Sequence, residues 1–147
     1  MDHSRTVTPD QIALVEATLA ALDLEALAAD FYRLAFAAEP ALLTMFVNDP
    51  VAQRDRFAIE LEELVSSIRS IDDFSPRVRA LGVRHGHYGV RSAHYRLMGD
   101  ALLASLASAL GERWTSEVEE AWRLAYNLTA ETMMLGALQE HAAERSR

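Results

Sequence analysis

The stretch RHGHYGVRSAHYRLMGDALL, residues 84–103, carries the pattern on which the fold turns. Its second half is helical by spacing. Tyr95, Met98, Leu102, Leu106 and Leu110 recur at three- and four-residue intervals and form one apolar face. Ser92 is placed to cap this helix and Gly111 to stop it. The first half closes a shorter helix that runs from about Pro76 to His85 or slightly beyond, after which Gly86 and Gly89 interrupt the pattern. Three histidines, His85, His87 and His94, therefore fall at or between two helix ends. On a helix His85 and His87 project about 200° apart and cannot share one metal ion. In an extended loop they could join His94 as a three-imidazole zinc site. The alternative is a single imidazole, His85, held at the end of a helix.

Outward in both directions the pattern stays helical. Thr8-Pro9-Asp10-Gln11 combines a cap, a proline at the first helical position and a glutamine three residues after the cap. Ile12, Val15, Leu19 and Leu22 follow at helical spacing. Asp23 caps a second helix bearing Leu27, Phe31, Leu34 and Phe36. Pro40 restarts the chain in a short turn, Ala41 to Phe46, and Val47-Asn48-Asp49-Pro50 is a loop by composition. From Gln53 a long helix places Phe57, Leu61, Leu64, Val65 and Ile68 on one stripe, and Asp72-Asp73 with Ser75-Pro76 marks the next break. Thr115 or Ser116 caps a last helix that runs past Met134, with Glu119 completing a capping box from Ser116. No alternating strand pattern or hairpin turn interrupts this series. The expectation is an all-α fold of about seven or eight helices. It spans 1–147 as one domain, with its core at about 8–140 and loose ends at roughly 1–7 and 142–147.

Composition removes whole classes of function. Half of the 147 residues are apolar, enough for a full core without staples. Cysteine is absent, which excludes disulfides, thiolate metal sites, a cysteine nucleophile and covalent attachment of a cofactor through C-x-x-C-H. All 14 basic residues are arginine, so a Schiff-base lysine and a P-loop lysine are excluded too. No apolar run reaches the ~18 residues of a membrane span, and no apolar leader opens the chain, so a cytoplasmic protein is expected. A net charge of −8 argues against nucleic acid as a partner. The motifs of zinc proteases, di-iron bundles, α/β-hydrolases, dinucleotide-binding folds and P-loop enzymes are all missing.

The charge is unevenly distributed. Residues 1–73 hold 14 acids against five arginines, net −9, and residues 74–147 hold eight acids against nine arginines, net +1. Between 74 and 99 there are five arginines (Arg77, Arg79, Arg84, Arg91, Arg96) and no acid. This segment is either a face that pairs with Glu60, Glu62 and Glu63 or a local site for an anionic ligand. A neutral imidazole at a helix end in an apolar helical core suits an axial haem ligand, and arginines without acids suit the two haem propionates.

Arg84-His85-Gly86-His87-Tyr88-Gly89-Val90, followed by His94-Tyr95, Met98-Gly99 and Leu102-Leu103, resembles the proximal region of bacterial single-domain globins. It is also similar to the globin module of flavohaemoglobins. Phe31-Tyr32, Phe36, Pro40, Phe46, Gln53-Arg54, Ala121-Trp122 and Ala125-Tyr126 follow in that family's order, so the resemblance covers residues 8 to about 138.

The resemblance implies a globin fold enclosing a pocket for haem b, held without a covalent bond. It makes His85 the iron ligand and assigns Phe46, Phe57, Arg84, Tyr88, Val90 and Tyr95 to cofactor contacts. Tyr32 and Gln53 become the distal residues that meet a bound gas. Two departures stand out. Ala137 occupies the position where flavohaemoglobins have a glutamate that bonds the proximal histidine and tyrosine, and the loop from Phe46 to Gln53 is shorter than theirs. The implied function is reversible binding of O2, with NO and CO, of the oxygen-transport type, by a monomer or homodimer. NO dioxygenation with an external reductase is an alternative, because the chain ends at Arg147 with no flavin or nicotinamide domain. A gas or redox sensor acting through a partner is another. Outside haem biology stands a helical interaction module that binds no cofactor.

Overall fold

Every regular element of the computed structural model is helical among the residues it describes, 7–45 and 49–146. In chain order they are α1 (Pro9–Ala20), α2 (Leu24–Ala38), a 3-10 segment (Pro40–Met45) and α3 (Pro50–Ser67). Then come α4 (Ile71–His87), α5 (Ser92–Leu110), a 3-10 turn (Gly111–Arg113) and α6 (Ser116–Arg145). The all-α expectation holds.

Most starts are made by the expected caps. The Thr8 hydroxyl accepts from the Gln11 N–H at 3.1 Å, and the Gln11 side chain accepts from the Thr8 N–H at 3.0 Å. The Asp23 carboxylate accepts from the N–H groups of Glu25 and Ala26, and the Thr115 hydroxyl from that of Val118.

Four boundaries differ from the sequence reading. Helix α3 begins at Pro50 rather than Gln53, because Asp49 accepts from the Val51 N–H at 3.2 Å and proline costs nothing at a first position. Helix α4 begins at Ile71, ahead of Pro76. Phe74, 1% exposed, anchors the extra turn, and its N–H reaches the Ser70 carbonyl at 2.8 Å. The proline forfeits only the bond to the Asp72 carbonyl, which belongs to an exposed residue that water can reach. Arg91, not Ser92, holds the cap position of α5, and its N–H donates to His94 Nδ1 at 2.8 Å. Finally, α6 continues to Arg145, so residues 142–145, expected as a loose end, are helical and exposed.

Helix α6 packs along both α1 and α4, while α2 packs on α5 and α3. Trp122 of α6, 2% exposed, donates its indole N–H to the Thr18 hydroxyl of α1 at 2.9 Å, and Thr18 in turn donates to the Leu14 carbonyl. This buried relay satisfies every polar atom it contains. Trp122 thus packs α6 on α1, and it also lines the cavity described next.

Candidate ligand cavity

All six helices and the 3-10 segment after α2 contribute to a cavity of about 530 Å³, α1 through Val15. That volume lies within the range of sites that take a cofactor or drug-sized ligand. Leu61, Leu64, Val65, Met98, Leu102 and Met133 make much of its wall, so the interior is apolar and few polar groups reach it.

His85 is one of them. Its Nδ1 lies 2.9 Å from the Leu81 carbonyl, one turn earlier on α4. A carbonyl only accepts, so Nδ1 carries the hydrogen and Nε2 keeps its lone pair. Burial lowers the His85 pKa below its ordinary value; the Leu81 hydrogen bond and the Glu60 charge oppose this, and the Arg84 charge adds to it. The imidazole is therefore neutral near pH 7, which is the form that ligates a metal.

A pH dependence follows. Below the ordinary histidine pKa the unfolded chain takes up a proton at His85 that the folded chain refuses, so acid favours unfolding. The contribution is full well above the ordinary value of about 6.5 and is lost as pH falls through that value toward the lowered folded one. Urea titrations of the protein without haem should show stability falling as pH drops through about 6.5, and falling less in His85→Gln. Equal losses in both proteins would remove His85 from the account.

Helix α4 ends at His87, two residues after His85, by a specific device. Gly89, at φ +91°, allows its own N–H to reach the Gly86 carbonyl and the Val90 N–H to reach the His85 carbonyl, both at 3.1 Å. Gly86 itself is helical, so of the two glycines only Gly89 breaks the helix. This turn brings Val90 back into the cavity wall, while Tyr88 stands at the rim, 54% exposed. Tyr95 of α5 is buried and lines the cavity, and burial pushes its phenol up to about 12. Tyr126 of α6 donates its hydroxyl to the Tyr95 backbone carbonyl, tying α5 to α6 beside the site.

A second polar group is the pair Tyr32 and Gln53. The Gln53 amide donates to the Tyr32 oxygen at 3.3 Å, joining α2 to α3. Burial raises the Tyr32 pKa, against the Gln53 hydrogen bond and the Arg56 charge, so the phenol stays protonated at neutral pH. Phe57 stacks on Phe31 at 4.5 Å between ring centroids and meets Tyr32 edge-on at 5.7 Å.

Arg84, also in the wall, pairs with Glu60 at 3.4 Å, and Arg77 pairs with Glu63 at 2.9 Å. Two of the five clustered arginines therefore face the acidic run of α3, as one of the two sequence readings held. Both pairs are largely exposed and contribute little to stability. Arg56 and Glu60 also line the cavity; the sequence marks Glu60 only as part of an acidic run and does not mark Arg56, although Arg56 stands three residues after Gln53 and so shares its face.

Of the site residues drawn from the sequence, Tyr32, Gln53, Phe57, Arg84, His85, Tyr88, Val90 and Tyr95 all line this one cavity. Phe46 lies outside the described residues. His87 is exposed, and His94 is engaged at the start of α5. No group of three His, Cys, Asp or Glu among the described residues is placed to hold a metal ion, which removes the three-imidazole zinc alternative for this arrangement. Nor is any described helix long and apolar enough to cross a membrane. The donor set that remains fits a broad apolar cofactor ligated from one side by a single imidazole, with the Tyr32–Gln53 pair also in the cavity wall.

The family model for Globin matches residues 29–133. The flavohemoprotein of Bordetella parapertussis is 34% identical and covers 96% of this chain but 36% of its own length. That of Deinococcus radiodurans is 32% identical and covers 87% of this chain and 33% of its own. The chain thus spans about a third of the length of these curated relatives. Among solved structures, a carbene transferase engineered from a candidate nitric oxide dioxygenase of Rhodothermus marinus is 26% identical. It superposes with a TM-score of 0.85 over 95% of this chain and 99% of the other. A bacterial globin from Campylobacter jejuni shares the fold with a TM-score of 0.80 at 21% identity, covering 92% and 99% of the two chains.

Proposed function

Because this chain belongs to the globin family, we propose that its cavity holds one haem b without covalent attachment and that the protein reversibly binds O2, together with NO and CO. The observation that carries the reading is His85, whose Nδ1–H is committed to Leu81 while Nε2 keeps its lone pair in an apolar cavity. Haem, when bound, supplies the iron at which diatomic gases bind and exchange electrons.

The chain's residues do the rest. With haem bound, His85 would ligate its iron, Arg84 and Tyr88 at the rim would meet its carboxylates, and Phe57, Val90 and Tyr95, with Phe46 by resemblance, would supply its apolar contacts. Tyr32, oriented by Gln53, would donate a hydrogen bond to a bound gas, and the apolar wall would keep water out. The protein acts in the cytoplasm as one domain, monomeric or dimeric, without nucleic acid.

A second reading, oxidation of NO, is favoured by the names of the flavohemoprotein relatives and by the origin of the Rhodothermus neighbour. It requires electrons from a reductase. One feature argues for weaker oxygen-activating chemistry. The His85 N–H goes to a neutral peptide carbonyl, and Ala137 of α6 sits beside Gly86, so no carboxylate at that position makes the imidazole more electron-donating.

Absorbance spectra of the purified protein in ferric, ferrous and CO-bound states test the proposal, with one haem per chain expected. A protein that takes up no haem refutes it. Sustained NO consumption with an added reductase, absent with NADH alone, moves the assignment to the second reading. Peroxidase activity should be weak and should rise in Ala137→Glu; strong activity in the unaltered protein contradicts the argument from Ala137.

A further inference from the structure

Helices α4 and α6 cross with their backbones touching. A Cβ on Gly82 would lie 2.0 Å from the Met133 carbonyl oxygen and 2.6 Å from its Cα. A Cβ on Gly136 would lie 2.2 Å from the Arg79 carbonyl oxygen and 2.7 Å from its Cα. Both obstacles are main chain, so no change of rotamer relieves them. The separation of the two helices is fixed by what these glycines lack.

The crossing bears on His85 directly. Gly82 precedes it by three residues on the same face of α4. The peptide that joins Leu81 to Gly82 carries the carbonyl that accepts the His85 Nδ1–H. Met133, on the other side of the crossing, is part of the cavity wall. Any shift of Gly82 therefore moves the acceptor, the imidazole and the wall relative to one another. Gly86, adjacent to His85, is different. A Cβ there meets only the Ala137 Cβ, at 3.8 Å, an ordinary contact. The crossing is closed at Gly82 and has room at Gly86.

We infer that Gly82 and Gly136 are positioning residues: their backbone contact with α6 sets how far His85 reaches into the cavity and which of its nitrogens faces the ligand. The inference deepens the reading of His85 as iron ligand, but its first readout does not depend on haem. Long-range 15N–1H NMR of the haem-free protein reports which nitrogen of His85 carries the hydrogen. The expected result is an Nδ1–H form in the unaltered protein. That preference is lost in Gly82→Ala and reduced in Gly136→Ala, whose contact lies further from His85. It is retained in Gly86→Ala and in Leu106→Ala, a fully buried α5 residue outside the cavity wall whose truncation lowers stability alone. In the haem-loaded protein, Gly82→Ala should shift the ferrous iron–imidazole stretch in resonance Raman spectra. It should also speed haem loss roughly ten- to a hundred-fold, the usual cost of disturbing a ligand's supporting hydrogen bond.

An unchanged tautomer in Gly82→Ala overturns the inference, as does an equal change in Leu106→Ala. If neither glycine variant folds, the glycines are structural and the positioning role is rejected. A tautomer shift in a protein that binds no haem upholds the positioning role and rejects the haem reading instead.

Discussion

His85→Ala is expected to empty the cavity of haem or to leave a ferrous-CO spectrum that no longer shows a histidine-ligated iron, whereas His87→Ala should leave both unchanged. The two histidines are separated by one residue, yet they occupy different environments. His85 lines the cavity with its Nδ1–H tied to Leu81, and His87 is exposed in the last turn of α4. Loss of a supporting hydrogen bond weakens metal binding by roughly ten- to a hundred-fold, so loss of the ligand itself should raise the haem-loss rate by ~100-fold or more. Truncation to Ala also leaves a void the size of the ring, so free imidazole added to His85→Ala should restore the CO spectrum. A register error has a distinct signature: His87→Ala would empty the cavity and His85→Ala would not.

Much of this was legible in the sequence where the controlling interaction is local. The Thr8–Gln11 box and the Asp23 cap are complete within four residues and each is formed as read, whereas of the two caps offered for α6 Thr115 serves, bonding Val118, and the Ser116–Glu119 box is not formed. Boundaries decided by tertiary contact were not legible. Pro76 looks like a helix start, but burial of Phe74 extends α4 to Ile71. Gly86 and Gly89 look alike in sequence, and only the backbone angle separates the helical one from the one that ends the helix. The candidate site follows the same division. His85, Tyr32 and Gln53 are found by ordered landmarks at fixed spacing. Glu60 and Met133 enter the cavity wall through the way α3, α4 and α6 meet, which no single helix's periodicity reveals. The crossing at Gly82 and Gly136 is of this second kind: in the sequence they are two isolated glycines in helical segments, and only the fold shows main chain against them.

Tyr32→Phe should speed O2 dissociation by roughly ten- to a hundred-fold and leave CO dissociation nearly unchanged. On binding a ferrous centre, O2 takes up negative charge and CO takes up far less. A phenol in an apolar cavity can donate to that charge, and hydrogen bonds to charged acceptors contribute ~1.5–3 kcal/mol. Each ~1.4 kcal/mol is a factor of ten, which sets the expected range. The Tyr32 pKa is raised by burial, so the donor hydrogen is in place throughout the neutral range. The Gln53 amide donates to the Tyr32 oxygen at 3.3 Å, which orients the phenol and sends its hydrogen toward a different partner. Gln53→Leu should therefore act in the same direction but more weakly, since the phenol remains and only its alignment is lost. Phe57, packed edge-on against Tyr32, affects access rather than charge. Crowding by its ring would slow entry of both gases alike and cancel from the comparison of dissociation rates. Stopped-flow O2 and CO dissociation on the unaltered protein and on Tyr32→Phe decide the matter. An unchanged O2 rate, or equal acceleration of both gases, would show that Tyr32 serves the aromatic cluster with Phe31 and Phe57 and not the ligand.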